Sequence, residues 1–155
     1  MITRRDFTVA AVSIFATAAL VVFAQTAAKP LLHSAVFNWN ELKVEIKPTG
    51  ERRQVFDAPT ATLERFESHI TTLNPGEIPH AAHRHTEEEL MLLKEGTLEA
   101  VLDGKTNRVD AGGMIFCASG ELHGFRNIGT NRATYYVFKF FPHDLPKPAA
   151  LPAKN

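Results

Sequence analysis

Gly76-Glu77-Ile78-Pro79-His80-Ala81-Ala82-His83-Arg84-His85-Thr86-Glu87-Glu88-Glu89 is the stretch on which the reading of this chain turns. Residues i and i+2 of an extended strand share a face, roughly 6.6 Å apart along the chain. His83 and His85 therefore present two imidazoles to one point. Glu89 follows four residues after His85, far enough for the chain to turn and return a carboxylate to that point. Downstream, Gly120-Glu121-Leu122-His123 puts a third imidazole on another strand-like run. Three neutral imidazoles and a carboxylate suit one divalent transition metal (manganese, iron, cobalt, nickel, copper or zinc) better than calcium. On an octahedral ion, four protein ligands leave two neighbouring positions for water, dioxygen or a bidentate small molecule. Glu88 is the alternative carboxylate if the register slips by one residue.

Around this stretch the sequence alternates short apolar runs with turn residues. Strand signals fall at 42–46, 62–73, 88–93, 97–102, 114–118, 123–126 and 133–141. Pro48-Thr49-Gly50, Asn74-Pro75-Gly76, Glu95-Gly96, Asp103-Gly104, Gly112-Gly113, Asn127-Ile128-Gly129 and Pro142 punctuate them. Asp103-Gly104 between two strand-like runs predicts a tight hairpin. Many short strands and no sustained helical period predict an all-β barrel or sandwich.

Residues 76–96 resemble the first motif of the cupin superfamily, with His83, His85, Glu89 and Gly96 at its spacing and Gly76 one residue early. Residues 112–127 resemble the second motif through Gly112, Gly120, His123 and Asn127, with Ala118 where proline is usual. The resemblance covers roughly residues 60–141. It implies a cupin (double-stranded β-helix, jelly-roll) barrel of two antiparallel sheets. It also implies a metal inside the mouth held by His83, His85, Glu89 and His123, and a homodimer formed through edge strands. Thiol dioxygenases of this superfamily resemble three-histidine sites without the glutamate, so Glu89 argues against that group.

The chain is expected to divide into an export signal at 1–28, a lead with an edge strand at 29–59, the cupin barrel at 60–141 and a proline-rich flexible tail at 142–155. Thr3-Arg4-Arg5-Asp6-Phe7 followed by an apolar stretch from Val9 to Ala24 resembles a twin-arginine signal. This predicts a periplasmic or secreted protein with no membrane contact once the signal is cleaved. Lys and Arg number 17 against 17 Asp and Glu, and no basic run exists, so a nucleic-acid partner is not expected. Hydrophobic residues make up 45% of the chain, enough for a packed core without disulfides. The only cysteine, Cys117, reads as a small buried hydrophobe.

Other residues are candidates of a second rank. His80 at the barrel mouth and Tyr136 in the last strand are the candidate catalytic acid–base groups. Placing Lys139 in water turns Tyr136, Phe138 and Phe140 inward. His69 is expected to be exposed on a polar face with Arg65 and Glu67, and Phe125 to share the face of His123. Two functions fit. One is an enzyme acting on a small polar or oxygen-rich molecule, of dioxygenase, oxidase or Lewis-acid isomerase or lyase type. The other is a metal- or ligand-binding module without turnover.

Overall fold

The computed structural model describes residues 29–143. The export signal expected at 1–28, and all of the tail beyond residue 143, lie outside them. Nine strands follow a short 3-10 turn at Trp39–Glu41. They are β1 (Val44–Lys47), β2 (Gly50–Ala58), β3 (Leu63–Leu73), β4 (Glu88–Glu95), β5 (Thr97–Leu102), β6 (Lys105–Asp110), β7 (Met114–Cys117), β8 (His123–Asn127) and β9 (Ala133–Pro142). One sheet has the order β1-β2-β3-β9-β4-β7 and the other β6-β5-β8, with every pairing antiparallel. This is the jelly-roll architecture of a cupin barrel.

Local chemistry explains the hairpins. Asp103 and Gly104 both take positive φ, 42° and 83°, which matches the twist of the strands they join. Alternating burial then sets the inward face of each strand. Glu89, Met91 and Leu93 point inward from β4, Leu98 and Ala100 from β5, and Ile115 and Cys117 from β7. With Leu73, Phe125, Ala133, Tyr135 and Val137 they form one core between the sheets.

Two strands depart from the expectation. β2 has no apolar alternation, because Arg52 and Gln54 hydrogen-bond to Glu67 of β3 instead of packing. β9 has the opposite face assignment from the one expected. Tyr135 and Val137 are buried at 2% and 3% exposure, and Lys139 turns into the barrel. Tyr136, Phe138 and Phe140 lie on the outer face, where Phe140 stacks on Phe66 at 5.1 Å between ring centroids. β9 is a central strand that is apolar on both faces, so alternation alone could not orient it. Two carboxylates inside the barrel draw the lysine in.

Candidate metal centre

The three histidines meet through backbone pairing. His83 and His123 exchange both backbone hydrogen bonds at 3.0 Å, and the Gly120 amide donates to the His85 carbonyl at 2.8 Å. Residues 83–85 thus run against 120–123 as an added rung beside β8. Arg84 points away and donates to the Gly120 carbonyl at 2.7 Å. Gly124 makes the approach feasible, since a Cβ there would sit 2.9 Å from the Cβ of Ala82. Asn127, fully buried, anchors the far end. Its side chain donates to the carbonyls of Leu73 at 3.1 Å and Asn131 at 2.8 Å, and accepts from the Gly129 amide at 2.9 Å.

The imidazole nitrogens of His83, His85 and His123 lie within 4.8 Å of one another. His83 Nδ1, His85 Nε2 and His123 Nε2 are buried and have no hydrogen-bond partner among the described residues. Orphaned buried acceptors are costly, and three facing one point fit a cation. The opposite nitrogens of two of the rings are tied down. His85 Nδ1 donates to the Glu87 carbonyl at 2.8 Å, and His123 Nδ1 to the Glu121 carbonyl at 3.0 Å. Such bonds fix the tautomer that leaves a lone pair on Nε2. Burial, then neighbouring imidazoles, keeps His83 below the ordinary histidine range, and burial does the same for His123. Both are thereby kept neutral, as ligation requires.

Glu89 is 5% exposed, with its Oε2 3.5 Å from His85 Nε2 and 3.3 Å from Lys139 Nζ. Burial alone would raise its carboxyl, but His85 and Lys139 outweigh that and hold it at about 2. Glu88 is exposed on the other face of β4. Cys117 also lies within ligating range of Glu89 and His123. Burial, with Glu89 and Glu121 nearby, pushes its thiol up to about 12, which disfavours a thiolate ligand. The donor set that fits a metal is therefore three imidazoles with the Glu89 carboxylate.

His80 is exposed and meets the His83 ring edge-on at 4.4 Å, at the mouth of a cavity of about 400 Å³. Phe125 shares the face of His123, with ring centroids 5.8 Å apart, and lines the cavity. Tyr136 does not reach it, whereas Tyr135, Val137 and Lys139 do. His69 is not on a free surface. It lines the cavity with only 15% of its side chain exposed, because Glu67 is drawn inward and buried. Sequence reasoning also missed Glu87, half-buried with its carboxylate 3.2 Å from Lys139. The signal available for β3 was polar residues at strict i, i+2 spacing (Glu67, His69, Thr71), which here form an inner wall rather than a solvated face.

The sheets and the placement of the site at one end of the barrel define a cupin-fold protein with a candidate metal centre. Residues 69–139 match the family described as Cupin domain. KdgF from Halomonas sp. superposes with a TM-score of 0.59 at 17% identity, over 72% of this chain and 96% of that one. The polyketide cyclase RemF from Streptomyces resistomycificus gives 0.57 at 22%, over 78% and 89%. A variant of oxalate decarboxylase from Bacillus subtilis gives 0.57 at 18%, over 73% of this chain and 32% of its own. These likenesses establish the fold, and with the family match they support the cupin superfamily.

Proposed function

We propose that this chain binds one divalent transition metal through His83, His85, Glu89 and His123, and acts there on a small polar or oxygen-rich molecule. One observation carries the reading: three buried imidazole nitrogens without partners among the described residues converge within ligating distance, beside an ionised carboxylate. A bound divalent ion would supply a Lewis acid, or a redox centre if it is iron or manganese. The chain's own residues set the rest. Glu87 and Glu121 carbonyls orient two ligand rings, Lys139 holds Glu89, and Phe125, Tyr135 and Val137 shape the cavity beside it. His80 at the mouth is placed to exchange protons with entering solvent. The neighbours named above include enzymes, which supports a catalytic reading over a storage or binding module.

Purification of the double variant His83→Ala/His85→Ala, with elemental analysis against wild type, tests this. Loss of the metal is expected, and stoichiometric metal in the variant would refute the ligand assignment.

The site is further proposed to work outside the cytoplasm, after folded export directed by Arg4-Arg5. Normal secretion of an Arg4→Lys/Arg5→Lys chain would overturn that route. A homodimer is proposed through the outer face beside edge strand β7, where Met114 and Phe116 are 66% and 54% exposed. Phe116→Glu should shift sedimentation toward a monomer, and an unchanged value would exclude this face.

A further inference from the structure

The cavity wall on β3, two strands from β4 in the same sheet, carries a polar group that the metal centre leaves unused. Glu67 is 4% exposed on the inward face of β3. It accepts hydrogen bonds from Arg52 at 3.1 Å and from Gln54 at 2.7 Å. Its two oxygens stand 2.9 and 3.0 Å from His69 Nδ1. Burial would raise the carboxyl, but His69, Gln54 and Arg52 outweigh it and hold Glu67 below the ordinary carboxylate range. An ionised carboxylate can only accept, so Nδ1 carries the hydrogen between them. With that hydrogen on Nδ1, an uncharged ring would carry its lone pair on Nε2, which makes no protein hydrogen bond among the described residues. His69 lines the same cavity as Glu89, Phe125 and Tyr135.

Register places this pair relative to the metal centre. Glu67 lies opposite Lys139, and Lys139 opposite Glu89. His69 is one pleat further in, opposite Val137. Two strand spacings and one pleat step separate the Cα atoms of His69 and Glu89 by roughly 12 Å. Both side chains line the same cavity, across a gap that a small molecule can bridge.

We propose that His69 is an acid–base catalytic residue of this cavity, positioned by Glu67, for small oxo- or hydroxy-carboxylic acids whose adjacent oxygens bind the metal centre. The inference rests on the metal reading above. Arg52, which also lines the cavity, supplies positive charge for the acid's carboxylate. In the step, a C–H next to the carbonyl gives its proton to His69 Nε2 and the ring becomes imidazolium. The C–H electron pair forms a carbon–carbon double bond as the carbonyl π pair moves to oxygen. The hydrogen on Nδ1 stays on the ring, hydrogen-bonded to the Glu67 carboxylate. Reversal returns a proton, or a deuteron from solvent, to carbon.

The test uses the full chain loaded with Zn(II), with zinc measured in every sample, and pyruvate in D2O as the probe. Proton NMR follows loss of the methyl signal. Wild type should exchange faster than the same zinc in buffer. His69→Gln should be slower by about 100-fold or more with its zinc retained, and Glu67→Gln by about 10-fold. Nitrogen-15 NMR of histidine-labelled protein gives a readout that needs no turnover. His69 should carry its proton on Nδ1, and Glu67→Gln should redistribute it. Zinc-loaded wild type with no exchange, His69→Gln at the wild-type rate, or a wild-type His69 protonated on Nε2 would each overturn the proposal alone. Wild type that holds no zinc would overturn the metal reading, and this one with it. If His69→Gln loses zinc or fold, the wild-type spectrum decides. Pyruvate-dependent shifts of the Nδ1-protonated ring support the proposal, and their absence overturns it.

Discussion

Lys139→Met should make the metal-free protein less stable and the metal bind more tightly. Lys139 Nζ is 3.2 Å from Glu87 and 3.3 Å from Glu89, with 21% of its side chain exposed. At 3.3 Å and an effective dielectric constant of about 20, the gross attraction to Glu89 is about 5 kcal/mol. Truncating one member of a fully buried pair costs roughly 3–5 kcal/mol. Partial exposure of the lysine reduces this to about 2 kcal/mol. For a domain of this size that is a fall of roughly 6–10 °C in the Tm of chelator-treated protein. A bound divalent cation replaces the lost counter-charge, so the loaded variant should melt close to loaded wild type. Closing the thermodynamic cycle, the stability lost only in the metal-free form reappears as affinity, about 30-fold in Kd. Thermal melts with and without Zn(II), and chelator competition for Kd, measure both sides. An equal fall in both forms, or metal affinity unchanged or weakened, would refute the claim that Lys139 and the metal compete for Glu89.

Gly124→Ala should act on the site through backbone alone. Its Cβ would meet Ala82 at 2.9 Å and push the rung carrying His83. Metal affinity should fall about 10-fold, with a stability loss of about 1–3 kcal/mol in urea titration. Cys117 should resist alkylation by iodoacetamide at pH 8 in the folded protein and react once it is unfolded. Its thiol is raised from the ordinary 9.0 to about 12 when folded. As pH rises, the unfolded thiol ionises first, so stability is complete below pH 9 and is lost between 9 and 12. Cys117→Ala should flatten that part of the pH–stability curve in denaturant titrations.

The strand and turn pattern was legible because a half-buried strand writes its two faces as alternation and a tight hairpin demands residues such as Asp103-Gly104. β2 was not legible. Its Arg52 and Gln54 are satisfied by Glu67 from the neighbouring strand, and such a bond leaves no periodic trace. The exposure expected for His69 failed for the same reason, since polar residues on one face read as solvated until their partners are known. In β9, two apolar faces left the orientation to the carboxylates that receive Lys139, which moved Tyr136 out of the cavity and Tyr135 into it.

By itself the sequence determined a barrel of short strands and grouped His83, His85, Glu89 and His123 as one donor set, because fixed strand geometry converts residue spacing into a shared face. Tertiary structure alone decided which imidazole nitrogens are left without partners among the described residues, that Glu89 is shared with Lys139, and that His69, held by Glu67, lines the same cavity as Glu89. Those facts depend on contacts between strands far apart in the chain, where burial and the available partner, not local spacing, fix a polar side chain's direction.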